Sequence, residues 1–235
     1  MLEGNLSFIA ISMKNLGTAR AKAARALLWT ALCVGSVCLP ACTPLRVVTH
    51  TVGTDEARVP AGSYALDAHH WSITFDVEHL KFSRFTMRFD RAQGTLDWKP
   101  GGLDASTVNV SIDASSVDTN VPLLDKLVKG PDMFDAANHP AIRFVSTRVV
   151  RTGNSEGTLE GDLTIRGVTR PVTLEMKFNG YGVDPLTKED KLGFSAQGHF
   201  GRSQFGLGTW YPAVGDDVRV RIEAEFARHA QGETQ

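Results

Sequence analysis

His69 and His70 are the first residues of this 235-residue chain whose type and spacing suggest chemistry, because paired imidazoles invite a metal ion. Neighbouring residues on an extended strand point to opposite faces, so these two cannot close on one ion. His79 shares the parity of His69 but lies about 33 Å away along a strand rising ~3.3 Å per residue. No His-x-x-x-His or Cys-x-x-Cys pattern assists, and no metal is expected. A nucleophile is equally hard to find. There is no Gly-x-Ser-x-Gly elbow, no glycine-rich phosphate loop and no dinucleotide fingerprint. The chain therefore reads as non-enzymatic, with no catalytic residue and no cofactor. Asp162 in Gly161-Asp162-Leu163 and Arg202 in Gly201-Arg202-Ser203 are either functional charges or turn and cross-strand partners.

The elements that must position these residues announce themselves by alternation. From about Trp71 to Phe226, stretch after stretch switches between apolar and polar at every residue. Examples are Trp71, Ile73, Phe75, Val77 and, near the end, Val218, Val220, Ile222, Ala224, Phe226. Such stretches are strands with one greasy and one wet face. Eight or so of them, joined by turns such as Lys99-Pro100-Gly101-Gly102 and Thr152-Gly153-Asn154, make an all-β antiparallel domain. Alternation alone does not choose between a barrel and a sandwich. Arg84 to Asp90 and Ala92 to Trp98 read as one strand bent at Asp90-Arg91. The exception is Val121 to Val128, where Pro122 suits a first helical turn and Leu123, Leu124, Leu127 and Val128 share a face; one short helix is expected there. The inward parity is rich in rings: Phe75, Phe85, Phe89, Phe144, Phe178, Phe194, Phe200 and Phe226 all fall on it. They either fill the core or line a space for a ligand.

The N-terminus reads as an address. A basic stretch, Lys14 to Arg25, precedes a 14-residue apolar run, Ala26 to Leu39, too short for a comfortable membrane span. Residues 1–42 are thus expected to be a signal peptide, with Met13 as an alternative start. Leu39-Pro40-Ala41-Cys42 resembles a bacterial lipobox, which makes Cys42 the lipidation site, although Pro40 departs from the small residue usual there. Ordinary cleavage nearby is the alternative. Thr43 after the cysteine points to the outer membrane. Residues 43–62 read as a tether, 63–228 as the folded domain and 229–235 as a disordered tail. All three cysteines, Cys33, Cys38 and Cys42, fall in the leader, so the body has no thiol chemistry. The net charge is -1, and the basic leader leaves a mildly acidic body, which argues against nucleic acid as a partner.

Several stretches together resemble the YceI-like family. Tyr64-Ala65-Leu66-Asp67-Ala68-His69-His70 is similar to its opening motif, placing the family histidine on His70. Glu78-His79-Leu80 is similar to its second histidine. Asp132-Met133-Phe134-Asp135 with His139-Pro140-Ala141-Ile142-Arg143-Phe144, the run from Gly161 to Val172, and Arg202-Ser203-Gln204-Phe205-Gly206 follow in family order. Trp71 stands where the family often has a small residue. The resemblance implies a lipocalin-like barrel in the periplasm that binds polyisoprenoids or related lipids without catalysis. It implies that the eight inward phenylalanines hold a tail and that His70, His79 and Arg202 lie towards its head. The expected partners are an isoprenoid or fatty lipid and, through Cys42, a membrane surface; a homodimer is compatible with the sequence. The alternative is a ligand-free β-domain that docks a partner in envelope stress or the respiratory chain.

Overall fold

Alternation becomes strand throughout the residues described by the computed structural model, residue 47 and residues 49–228. The leader, Met13, Cys42 and the 229–235 tail lie outside the described residues. Ten strands form in chain order: β1 (Gly62–His79), β2 (Ser83–Phe89), β3 (Ala92–Lys99), β4 (Gly102–Asp113), β5 (Val117–Asp118), β6 (Ala141–Arg151), β7 (Glu156–Ile165), β8 (Val168–Val183), β9 (Asp190–Gly201) and β10 (Val214–Ala227). One helix, α1 (Pro122–Lys129), interrupts them, with proline in its first turn and no side-chain cap.

These ten strands make eight staves. β2 and β3 run along β1 as a single strand bent at Asp90-Arg91; β2 pairs Ile73 with Phe89 and β3 pairs Ala65 with Thr95. β4 continues through a turn at Ala114–Ser116 into β5, which pairs with β2. From there each stave hydrogen-bonds the next, and β10 returns to β1, pairing Phe75 with Val220. All pairings are antiparallel, so the ring is an up-and-down barrel with no open edge. Closure settles the choice between barrel and sandwich.

β1 contains a bulge between Leu66 and Trp71, and the bulge switches the parity of the strand. Tyr64 faces inward on even numbering, while Ile73, Phe75 and Val77 face inward on odd numbering.

The turns sort the barrel into two ends. One end carries the 80–82 turn, the 114–140 connection with α1, the Arg166-Gly167 turn and the 202–213 loop. The opposite end carries the 100–101, 152–155 and 184–189 turns and the arriving chain. Part of the stretch read as tether is bound there. The Gly53 amide donates to the Tyr181 carbonyl at 3.0 Å, Arg151 grips Glu56 with two hydrogen bonds (2.8 and 2.6 Å), and Val59 is buried.

Candidate functional site

Two separate cores share the barrel. At the end where the chain arrives, Trp98, Phe178, Phe194 and Phe226 form a continuous run of rings, with centroid separations of 5.6, 5.3 and 6.0 Å. Tyr64, Leu192 and Phe178 are fully enclosed there. This half of the interior is solid protein, and it acts as a floor.

The other half is open. A cavity of about 560 Å³ lies above the floor. Phe75, Phe85, Phe89, Phe144 and Phe200 line it, as does His79 at its lip. Phe75 stacks on Phe89 at 5.1 Å, and Phe134 from the 130–140 segment closes on both. The only polar side chains in the lining are His79 and Arg202. The floor and the cavity wall meet on β9, where Ala196 and Gly198 stand between Phe194 of the floor and Phe200 near the lip. On β7 Gly161 lets the Phe144 ring lie close against the strand, since a side chain there would strike that ring and the Val145 carbonyl oxygen 2.6 Å away.

Arg202 is almost fully buried but does not reach into the cavity as a free charge. Its Nε donates to the Gly215 carbonyl at 2.8 Å, its Nη2 to Val214 at 2.8 Å, and its Nη1 to Thr209 at 2.9 Å and to Leu207. Burial lowers its pKa, opposed by the nearby Asp216. The guanidinium therefore holds the 202–213 loop in shape over the cavity wall. It is a brace, in place of the head-group contact the sequence suggested.

Four further expected residues lie away from the cavity. Phe178, Phe194 and Phe226 face inward as parity required, but at the height of the floor. His70 follows the β1 bulge and points outward, its side chain more than half exposed, with Nδ1 3.0 Å from Asp67. Asp67, His70 and Glu225 offer ligand atoms within 4.8 Å of one another, an arrangement able to hold a cation. The Lys191 ammonium already occupies it, bonding Asp67 at 2.6 Å, Glu225 at 3.1 Å and Asp184 at 3.1 Å. Burial opposes ionisation of Asp67, but the Lys191 hydrogen bond and the His69 amide hold its carboxyl well below the usual carboxylate range. A metal would first have to displace that ammonium.

The structure also adds residues that parity could not supply. Leu124 and Val128 of α1, with Met133 and Phe134 beyond it, roof one side of the cavity, and Leu207 and Trp210 wall another. The apolar face of the helix was visible in the sequence; that it lies over an empty space was not. Leu123 and Leu127, assigned to the same face, are exposed instead.

This architecture has known counterparts. Protein YceI of Escherichia coli O157:H7 is 35% identical over 167 residues, covering 70% of this chain and 86% of that protein. The crystal structure of Burkholderia cenocepacia BcnA superposes with a TM-score of 0.62 at 22% identity, over 68% of this chain and 98% of the other. A polyisoprenoid binding domain from Saccharophagus degradans, implicated in plant cell wall breakdown, superposes with a TM-score of 0.52 at 12% identity, over 72% of this chain and all of that one. The YceI-like domain profile matches residues 64–226, from the first buried tyrosine of β1 to the last phenylalanine of β10. On that match and on the shared closed barrel, the chain belongs to the YceI-like domain family.

Proposed function

We propose that this protein is a non-catalytic carrier that holds the tail of a long-chain isoprenoid or a similar amphiphile. The observation that carries the reading is the open, almost entirely apolar cavity above the aromatic floor. At about 30 Å³ per water-sized group, its 560 Å³ takes a chain of roughly twenty carbons. Burying such a chain at ~0.8 kcal/mol per CH₂ offers on the order of 16 kcal/mol before ordering and association costs are subtracted. A single exposed charge contact at the head adds at most about 1 kcal/mol. Because Arg202 is committed to carbonyls, His79 is the polar lining group left to meet a head. Tail length and shape therefore dominate selection. The Saccharophagus domain named for polyisoprenoid binding supports this choice of ligand.

The cavity also favours a carrier over a ligand-free docking domain. A role in the cell envelope fits, with residues 1–42 as an exported leader and a lipid on Cys42 tying the protein to the outer membrane; the mass of the mature N-terminal peptide tests that placement. The carrier reading is tested by extracting the purified full chain with organic solvent and analysing the extract by mass spectrometry. A co-purified lipid with a long apolar tail is expected. An empty extract, together with no uptake of added prenols, refutes the carrier.

A further inference from the structure

We propose that the open end of the barrel docks on an anionic lipid bilayer, so that a tail moves between membrane and cavity without crossing water; this rests on the carrier reading above. Three elements meet around the opening and are joined to each other. The Leu80 amide donates to the Ala213 carbonyl at 2.8 Å, and the Thr209 hydroxyl to the Asp132 carbonyl at 2.7 Å. Each element presents large apolar side chains to solvent: Leu80 and Phe82 from the 80–82 turn, Leu123 and Leu127 from α1, Trp210 and Tyr211 from the 202–213 loop. Phe82 is 89% exposed and Leu123 70%. Among the described residues, every exposed aromatic ring of this kind lies at this end. The opposite end exposes only aliphatic side chains, Val52, Val150, Val183 and Leu186, set among the Glu56–Arg151 and Lys191 ion pairs.

Apolar surface gathered on one end and continuous with an apolar cavity marks an interaction face. Exposed Trp, Tyr and Phe suit the boundary between head groups and acyl chains. The cations here complete the match. Lys81 sits between Leu80 and Phe82, and Lys126 precedes Leu127; among the described residues neither has an acidic partner, and long lysine stems reach past an apolar patch to anionic head groups. The opposing acids at this end are Glu78, Asp132, Asp135 and Asp216; Asp125 is turned inward to Thr119 at 2.6 Å, and Asp76, Asp90, Asp113, Asp118 and Asp217 are paired with Arg84, Arg88 and Arg91.

The test is hydrogen–deuterium exchange of the full chain with and without vesicles of phosphatidylglycerol and phosphatidylethanolamine. Slower exchange is expected at residues 80–82, 121–127 and 209–213, with 152–155 and 184–189 unchanged. Equal protection at both ends, or none at the mouth, overturns docking. Protection that appears without vesicles and grows with protein concentration assigns the rim to a second copy and overturns it as well. A Phe82→Ser, Leu123→Ser double variant changes only exposed positions and should fold. It should slow vesicle-to-vesicle lipid transfer about tenfold or more while binding a short prenol from solution as the wild type does. A protein that binds prenol but shows no vesicle protection loses the docking proposal and keeps the carrier; one that binds neither loses both.

Discussion

Filling the cavity from within separates a lipid held inside the barrel from one held elsewhere. Val220 lines the cavity at mid-height on β10, paired with Phe75 on one side and with Gly198 on the other. Val220→Trp adds about seven heavy atoms and, because fused ring atoms share bonds, roughly 90 Å³ of volume. Taken from 560 Å³, that leaves space for about sixteen carbons in place of about twenty. In a close-packed core such a substitution costs about 1–3 kcal/mol or more through strain; in an open apolar space the indole buries surface instead, so the apo variant should melt no lower than wild type. Each carbon excluded forfeits ~0.8 kcal/mol, close to a fourfold loss of affinity. A prenol series read by ligand-induced thermal stabilisation should give a wild-type affinity that climbs to about C20. The variant should match it at C10 and fall behind by at least about a hundredfold at C20. If the folded variant keeps the wild-type ratio between C10 and C20, the tail does not lie in this cavity.

Two other perturbations probe the frame around it. Arg202→Met removes the donors to Leu207, Thr209, Val214 and Gly215 and should cost about 3 kcal/mol in urea denaturation, with faster amide exchange across 202–213; unchanged stability would show that the loop holds itself. Lys191→Met should cost about 2 kcal/mol, between the values for exposed and buried pairs. Its pH dependence has a defined sign. The carboxyl of Asp67 is depressed in the fold, so its contribution is present above the unfolded value near ~4 and is lost as pH falls through the folded one. For Lys191, burial is outweighed by its three carboxylate hydrogen bonds and the pKa is raised; that contribution is complete below ~10.4 and lost as pH rises through the folded value. The melting-temperature gap between wild type and variant should be flat from about pH 5 to 9 and close below about pH 4. A gap that does not narrow as pH falls below about 4 would refute the clamp.

Strand identity and facing were legible because burial on one side imposes a period of two, and α1 was legible because Pro122 and the leucine spacing break that period. Even the bend at Asp90-Arg91 was readable. Height along the barrel was not. Phe194 and Phe200 share a parity and a strand, yet one belongs to the floor and the other to the cavity wall. What separates them is the register that sets Ala196 and Gly198 against Ile222 and Val220, and register is a property of neighbouring strands. His70 was placed by the resemblance alone; on the inward parity of Trp71, Ile73 and Phe75 it faces out, as it does in the barrel. Arg202 stayed open between a functional charge and a turn or cross-strand partner, because carbonyl acceptors carry no signature in a sequence.

The incoming chain is fastened at Gly53, Glu56 and Val59 to the plugged end of the barrel. Residues 50–61 therefore lie on the closed side of the barrel, so a carrier built this way would load and unload at the opposite end without moving the segment that brings the chain in.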